Sequence, residues 1–144
     1  MVLAAACRSS GKPALSAATS PLDLEITAGA RLNPNDQGLP LPTVVRIYQL
    51  RSTGKLERAD FDRLLRQPRE ALGEDLLRDE EITLSAGETS KRTLEREQGA
   101  RYLAVIALFR RPTGTSWKAV AELSVSAQKG GLKFVVDGYR VDRR

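Results

Sequence analysis

The chain has 144 residues, a length that suits one domain, and 41% of them are apolar, which is enough for one core. It contains no histidine, and this excludes serine–histidine and cysteine–histidine nucleophiles as well as histidine metal sites. The single cysteine, Cys7, excludes an internal disulfide and a cysteine metal cluster. We therefore expect a protein that is not an enzyme and has no cofactor.

The net charge is +5, from 23 basic and 18 acidic residues whose signs are mostly interspersed along the chain. Nucleic-acid binders more often carry a one-sided basic stripe with stacking aromatic residues, and only 5% of this chain is aromatic. The composition therefore favours a mixed, solvated surface and no nucleic-acid partner. A polyanion binder stays as an alternative, and it would show a steep dependence of binding on salt.

The N-terminal stretch, residues 1–6, is apolar and ends in small residues directly before Cys7. Bacterial lipoprotein signals end in this way, and the cysteine thiol then receives the lipid. A complete signal has a basic start and about 7–15 apolar residues, so this one looks incomplete. Residues 8–20 are rich in Ser, Ala, Gly and Pro, which is typical of a flexible tether. The sequence thus predicts a lipidation site and tether over residues 1–20, and a folded domain over residues 21–144.

A turn-rich loop follows the first predicted strand, residues 22–28, in which apolar and polar side chains alternate strictly. Three prolines within residues 32–42 fix backbone angles and remove donors, so the loop resists pairing. Residues 43–50, rich in β-branched and aromatic side chains, predict the second strand.

The apolar period then changes, because Phe61, Leu64 and Leu65 have the spacing of a short amphipathic helix over residues 59–66. Pro68 predicts the first position of a second helical turn that ends before Gly73. The helical insertion is expected at about residues 57–78. The acidic residues that follow are expected to form a solvated face: Glu74, Asp75, Asp79, Glu80 and Glu81.

Five further strand segments are predicted after the insertion. Residues 101–109 are the most apolar and suit a central strand, and residues 128–131 predict a hairpin turn. With about seven strands and short turns, the expected fold is all-β, an antiparallel two-sheet β-sandwich with a small helical insertion. The other predicted strands are residues 81–85, 89–95, 116–123 and 132–141.

Three stretches between about Leu22 and Tyr139 resemble one known family, the TssJ (VasD/Lip) outer-membrane lipoproteins of the bacterial type VI secretion system. The first is the Asn-Pro loop followed by the strand sequence VVRIYQL at residues 44–50. The second is Ala59-Asp60-Phe61 with Leu64, Leu65, Leu76 and Leu77, and the third is Ala86-Gly87-Glu88 with residues 102–107 and Trp117.

The resemblance implies a transthyretin-like β-sandwich, an acylated Cys7 and a position on the periplasmic face of the outer membrane. Arg8 follows the cysteine, where an Asp would retain a lipoprotein at the inner membrane. The implied role is structural: binding the periplasmic domain of the inner-membrane protein TssM, with TssL as an indirect partner in the same membrane complex. The implied TssM-binding residues lie in the loop between the first two strands: Asn33, Pro34, Asn35, Asp36, Gln37, Gly38, Leu39, Pro40 and Leu41.

Within this loop, Leu39 and Leu41 stand between prolines and are candidate apolar anchors, with the polar residues of the loop around them. The alternative is that both leucines fold back onto the edge of the sandwich. The alternative function is a transthyretin-like protein that binds a small molecule in a sandwich cleft. That function would need a deep apolar pocket with several convergent polar groups.

Overall fold

The computed structural model describes residues 21–124 and 130–144, which form two four-stranded sheets with a buried apolar core. The strands are β1 (Leu22–Ala28), β2 (Thr43–Leu50), β3 (Leu76–Leu84), β4 (Thr89–Leu94), β5 (Tyr102–Ala107), β6 (Lys118–Glu122), β7 (Leu132–Asp137) and β8 (Arg140–Arg143). The helices are α1 (Gly54–Arg58), α2 (Phe61–Arg66) and α3 (Pro68–Leu72), followed by a 3-10 turn, Gly73–Asp75.

One sheet has the strand order β4-β1-β7-β8 and the other has the order β3-β2-β5-β6. The expected all-β, two-sheet sandwich with a helical insertion is therefore confirmed, but one detail differs. Strand β1 pairs with β7 in the parallel direction, so the first sheet is mixed and not purely antiparallel. Alternation shows which face of a strand is buried, but it carries no information on strand direction, so the sequence could not reveal this pairing.

The hairpin predicted at residues 128–131 is wrong, although residues 125–129 themselves lie outside the described part of the chain. Strand β6 pairs with β5 in one sheet, whereas β7 pairs with β1 and β8 in the other. The single closing strand predicted over residues 132–141 is instead a hairpin of β7 and β8. It turns at Gly138, whose φ of 59° favours glycine.

The helical insertion covers the outer face of the β3-β2-β5-β6 sheet. Each of its helices buries one leucine, Leu56, Leu64 or Leu72, to 1% exposure or less. Arg46 on β2 donates from Nη1 to the Leu64 carbonyl at 2.9 Å, and Lys118 on β6 donates from Nζ to the Leu56 carbonyl at 2.9 Å. Both carbonyl groups lie near the C-terminal ends of short helices, where backbone donors are few, and the Leu56 carbonyl also accepts from the Ala59 amide at 3.3 Å.

Helix α2 begins and ends close to its predicted bounds, and α3 starts at Pro68 as expected. Helix α1 was not predicted, because Leu56 is its only large apolar residue and gives no period. Leu65 is 37% exposed and does not join the core. No helix in residues 21–124 or 130–144 is long and apolar enough to cross a membrane.

Three of the acidic residues, Asp79, Glu80 and Glu81, lie on β3 and form ion pairs with arginines. Asp79 pairs with Arg69 at 3.1 Å, and Glu81 pairs with Arg46 at 3.1 Å. Within the part of the chain that the structure covers, no group of acidic residues is arranged to hold a metal ion. Of the five residues expected to form a solvated face, Glu74, Asp79 and Glu81 are exposed, whereas Asp75 and Glu80 are half-buried.

The loop at residues 29–42 and the start of the folded domain lie at opposite ends of the sandwich. At one end, β1 begins at Leu22, which pairs with Leu94 of β4. The buried Gln49 near the end of β2 donates from Nε2 to the Glu95 carbonyl at 2.8 Å, so the end of β2 lies at this same end, called here the Leu22 end. Residues 29–42 join the end of β1 to the start of β2 and therefore lie at the opposite end.

Candidate partner-binding loop

The loop at residues 29–42 starts from a turn that requires glycine. A Cβ at Gly29 would lie 2.2 Å from Cγ of Asp137, the last residue of β7. That carboxylate is fixed, because its Oδ1 accepts a hydrogen bond from the Arg31 amide at 2.9 Å. The Gly29 amide also donates to the Val136 carbonyl at 2.8 Å. The exit of the loop from β1 is therefore held against β7.

The base of the loop is held by Asn33, which is only 5% exposed. Its backbone has a φ of 46°, in the left-handed region that asparagine tolerates better than most residues. Its amide donates to the Gly138 carbonyl at 2.8 Å, and its side-chain Oδ1 accepts from the Arg110 amide at 3.0 Å. The sequence placed Asn33 among the partner-binding residues, but its atoms are already used inside the protein. In the structure, Asn33 therefore positions the loop.

The tip of the loop is closed by Asn35. Its side-chain Oδ1 accepts hydrogen bonds from the amides of Gln37 and Leu39, both at 2.9 Å. Its own amide donates to the Leu39 carbonyl at 2.8 Å, and its carbonyl accepts from the Gly38 amide at 2.9 Å. Gly38 has a φ of 82°, which closes the turn. The tip is therefore a compact turn held by its own side chain.

Two neighbouring arginines support the loop from the turn that follows β5. Arg110 and Arg111 both donate to Oδ1 of Asp36, at 3.2 and 2.9 Å. Arg110 also donates to the Pro34 carbonyl at 3.3 Å, and the Tyr139 hydroxyl donates to that same carbonyl. The Tyr139 hydroxyl and then the Asp36 carboxylate raise the pKa of Arg110, which stays charged.

Sequence reasoning did not find these supporting residues. Arg110 lies 74 residues beyond Asp36, and Tyr139 lies 105 residues beyond Pro34. A single sequence carries no signal for such distant pairs. The ion pair of Asp36 with Arg111 is largely solvated, with side chains 62% and 64% exposed, and such pairs contribute about 0–1 kcal/mol. The uncharged hydrogen bonds at the buried base hold the loop more firmly than this pair does.

The exposed part of the loop is narrower than predicted. Leu39 is 60% exposed, the highest value among the large hydrophobic side chains that the structure places. Leu41 is half-buried, and its amide donates to the carbonyl of the buried Leu32 at 3.0 Å. Of the two predicted anchors, Leu39 is the one available to a partner. The exposed residues of the tip are Asp36, Gln37, Gly38, Leu39 and Pro40.

Recesses elsewhere do not resemble a small-molecule pocket. Two lie on the β1–β7 surface, with volumes of 330 and 400 Å³, and both are lined by Glu25 and Lys133. A third, of 290 Å³, lies among the helices of the insertion. All three are shallow and lined mostly by polar or charged residues, whereas ligand pockets are mostly apolar and enclosing. The predicted lipidation site, Cys7, lies outside the described residues.

The chain matches the family of type VI secretion lipoproteins (VasD, EvfM, TssJ) over residues 20–138. It belongs to this family. The match covers most of the folded domain, so the resemblance seen in the Asn-Pro loop and its following strand is confirmed. Among curated proteins, no sequence is significantly similar to this chain.

Solved structures of type VI secretion proteins have the same fold. A chain of a type VI membrane complex is 25% identical, with a TM-score of 0.80, and the match covers 88% of this chain and 98% of that one. Lip from Serratia marcescens, a membrane-bound component of the type VI secretion system, is 23% identical, with a TM-score of 0.78 and coverage of 86% and 96%. A chain in a structure of the TssM C-terminal domain from EAEC is 23% identical, with a TM-score of 0.75 and coverage of 86% and 97%.

Proposed function

We propose that this lipoprotein is a non-enzymatic anchor of the type VI secretion membrane complex. It is held at the periplasmic face of the outer membrane by an acylated Cys7. Its loop at residues 29–42 binds the periplasmic domain of the inner-membrane protein TssM. TssL, which belongs to the same complex, is then an indirect partner.

The observation that carries the proposal is the position of the loop relative to the start of the domain. Residues 1–20 join the domain at the Leu22 end, and the loop lies at the opposite end. Strand β1 has seven residues, and at about 3.3 Å each they separate the two ends by about 23 Å. A domain attached to a membrane through Cys7 therefore carries its loop on the end farther from the tether, where a partner in the periplasm can reach it.

The loop also has the properties of a binding surface. It is already held in one conformation by Asn33, Asn35 and Arg110, so docking would order few additional groups and lose little entropy. At its tip, Leu39 supplies an exposed apolar side chain, and Asp36 and Gln37 supply a polar rim. Interfaces commonly combine one apolar anchor with such a rim.

The similar structures support the choice of partner. Chains of this fold occur in a type VI membrane complex and in a structure of the TssM C-terminal domain. The family itself is defined as a lipoprotein family of this secretion system, which supports a membrane-attached component.

The test of the loop is a binding measurement with the purified periplasmic domain of the cognate TssM. We expect Leu39→Asp to weaken binding at least about 30-fold, because loss of an interface anchor costs about 2 kcal/mol or more. Leu65→Asp is the matched control, since Leu65 is the other exposed large hydrophobic residue and lies on the helical insertion. It should change the affinity less than about twofold, as expected for a residue outside the interface.

Both variants should melt at the wild-type temperature, because the two side chains contribute little to the core. A Leu39→Asp protein that is folded and still binds TssM with wild-type affinity would show that the loop assignment is wrong.

The anchor is tested separately by fractionating cells that carry Cys7→Ser. That variant should leave the outer-membrane fraction for the soluble periplasm, and an unchanged distribution would contradict acylation at Cys7.

A further inference from the structure

A recess among the helices of the insertion carries an excess of positive charge. It has a volume of 290 Å³, and it is called the cationic recess here. Three of its side chains are cations, one is a carboxylate, and two are small alanines that leave the hollow open. The lining residues are Lys55, Arg58, Ala59, Arg63, Glu70 and Ala71.

The three cations differ from their neighbours in having no carboxylate partner. Nearby, Arg66 pairs with Asp62 at 3.4 Å, and Arg69 pairs with Asp79 at 3.1 Å. Within residues 21–124 and 130–144, no acidic oxygen lies within 4.0 Å of a side-chain nitrogen of the cations in the recess. The hollow is thus surrounded by three positive charges and the one negative charge of Glu70, with none of the three cations in a close ion pair.

A glycine leaves space for one of these cationic groups. A Cβ at Gly73, which ends α3 with a φ of 54°, would lie 2.9 Å from Nζ of Lys55. A Cβ at Gly54 would lie 3.6 Å from Nη1 of Arg58. The Lys55 ammonium group therefore packs closely over the end of α3, at a position that only glycine leaves open. The Arg58 guanidinium group lies in ordinary contact distance of the start of α1.

The insertion that forms the recess is attached at the Leu22 end of the sandwich. It leaves β2 after Leu50 and returns at β3, and the Arg51 amide donates to the Asp75 carbonyl at 2.9 Å beside Gly73. This is also the end at which residues 1–20 join the domain. From that end it extends along the outer face of its sheet, where the Leu56 carbonyl accepts from Lys118 and Phe61 packs against Trp117. If Cys7 is acylated as proposed above, the tether predicted over residues 8–20 allows this face to lie against the membrane.

We propose that the cationic recess binds the phosphate group of an anionic phospholipid headgroup. Two guanidinium groups can each donate two parallel hydrogen bonds to phosphate oxygens, and an ammonium group adds a compact charge. Basic residues close to a membrane surface are attracted to anionic lipids, and a basic patch strengthens a lipid anchor. The headgroup contact is a second attachment besides Cys7, and it holds the helical face of the domain against the bilayer.

The test uses the full chain with Cys7→Ser, so that no acyl chain contributes to binding. Binding is measured by co-sedimentation with vesicles of phosphatidylcholine and phosphatidylglycerol in equal parts, and with vesicles of phosphatidylcholine alone. We expect binding only to the anionic vesicles. The triple variant Lys55→Gln, Arg58→Gln and Arg63→Gln should weaken it at least about tenfold, since each basic residue near an anionic surface contributes appreciably.

The matched control is the triple variant Lys91→Gln, Lys133→Gln and Arg143→Gln on the β4-β1-β7-β8 sheet. It lowers the net charge from +5 by the same three units, to +2. It should change vesicle binding less than about threefold if the contact is local, whereas a general charge effect would act on both variants. Equal losses in the two triple variants would overturn the proposal in favour of a net-charge effect.

A titration with inorganic phosphate distinguishes a lipid headgroup from free phosphate as the bound anion. Titration followed by amide chemical shifts should perturb residues 54–73 weakly, and vesicle binding should persist at the same phosphate concentration. Tight binding of free phosphate that abolishes vesicle binding would overturn the lipid assignment. The recess variant should bind TssM normally. Vesicle binding therefore tests the recess independently of TssM binding by the loop, which is tested by Leu39→Asp.

Discussion

Asn33 tests the account of how the loop is held, because two separate features of this residue can be removed in turn. Its left-handed backbone is tolerated by asparagine and glycine, and its Oδ1 accepts the buried amide of Arg110 at 3.0 Å. Asn33→Ala removes the acceptor and also places a Cβ-bearing residue without a polar side chain at a φ of 46°. Asn33→Gly removes the acceptor but permits the backbone.

The expected losses follow from these two features. Leaving a buried amide without its acceptor costs about 1–3 kcal/mol. A left-handed alanine costs about 1 kcal/mol more than glycine, after glycine's greater freedom in the unfolded chain is allowed for. We therefore expect Asn33→Ala to lower the free energy of unfolding by about 2–4 kcal/mol, and Asn33→Gly by about 1–3 kcal/mol.

Urea denaturation and thermal melting measure these values. For a domain of this size, a loss of 1 kcal/mol lowers Tm by about 2–4 °C, so the alanine variant should melt about 5–15 °C below wild type. Equal stability of the glycine and alanine variants would refute the argument from backbone strain. A wild-type Tm for the alanine variant would refute the role of the Arg110 amide as well.

Two further predictions concern the junctions of the fold. Gly29→Ala should destabilise the protein by about 1–3 kcal/mol, measured by urea denaturation, because the new Cβ displaces Asp137 from the Arg31 amide; an unchanged midpoint would contradict this. Burial lowers the pKa of Lys118 below its usual 10.5, so the folded protein binds fewer protons than the unfolded chain between the lowered value and 10.5. The contribution of Lys118 to the free energy of unfolding therefore rises with pH in that window. Lys118→Met should remove this rise in urea denaturation measured at a series of pH values up to 10.5. Parallel curves of stability against pH for the wild type and the variant would contradict the prediction.

The local elements that have their own period or boundary residue were predictable, whereas α1, which shows no period, was not. Alternation placed β1, and Pro68 with Gly73 placed α3. The pairing of elements was not predictable. Parallel β1–β7 pairing and the separation of β6 from β7 depend on which sheet each strand joins, and the pattern of burial along a strand is the same in either case. The hairpin predicted at residues 128–131 failed for this reason. Two adjacent glycines permit many kinds of turn, and they do not show that the flanking strands pair with each other.

The loop was predictable as a stiff, exposed connection, because prolines and turn-forming residues act locally. The separate structural roles of the individual loop residues were not predictable. Asn33 and Asn35 are the same residue type two positions apart, yet one is buried in the base and the other closes the tip. What separates them is contact with Arg110 and Gly138, far away in the chain. Such contacts are set by tertiary packing, which a single sequence does not display.

The base of the loop joins both sheets, and this decides how binding data on loop variants can be interpreted. Asp137 at the end of β7 holds the Arg31 amide, and the chain leaving β5 supplies the Arg110 amide to Asn33. A change at the base therefore loosens the sandwich and displaces the tip together, so lost affinity for a partner would not identify a contact residue. A change at Leu39 alters only an exposed side chain. Affinity lost without a fall in Tm is thus the signature of direct contact, and the tip is the part of the loop where that signature can appear.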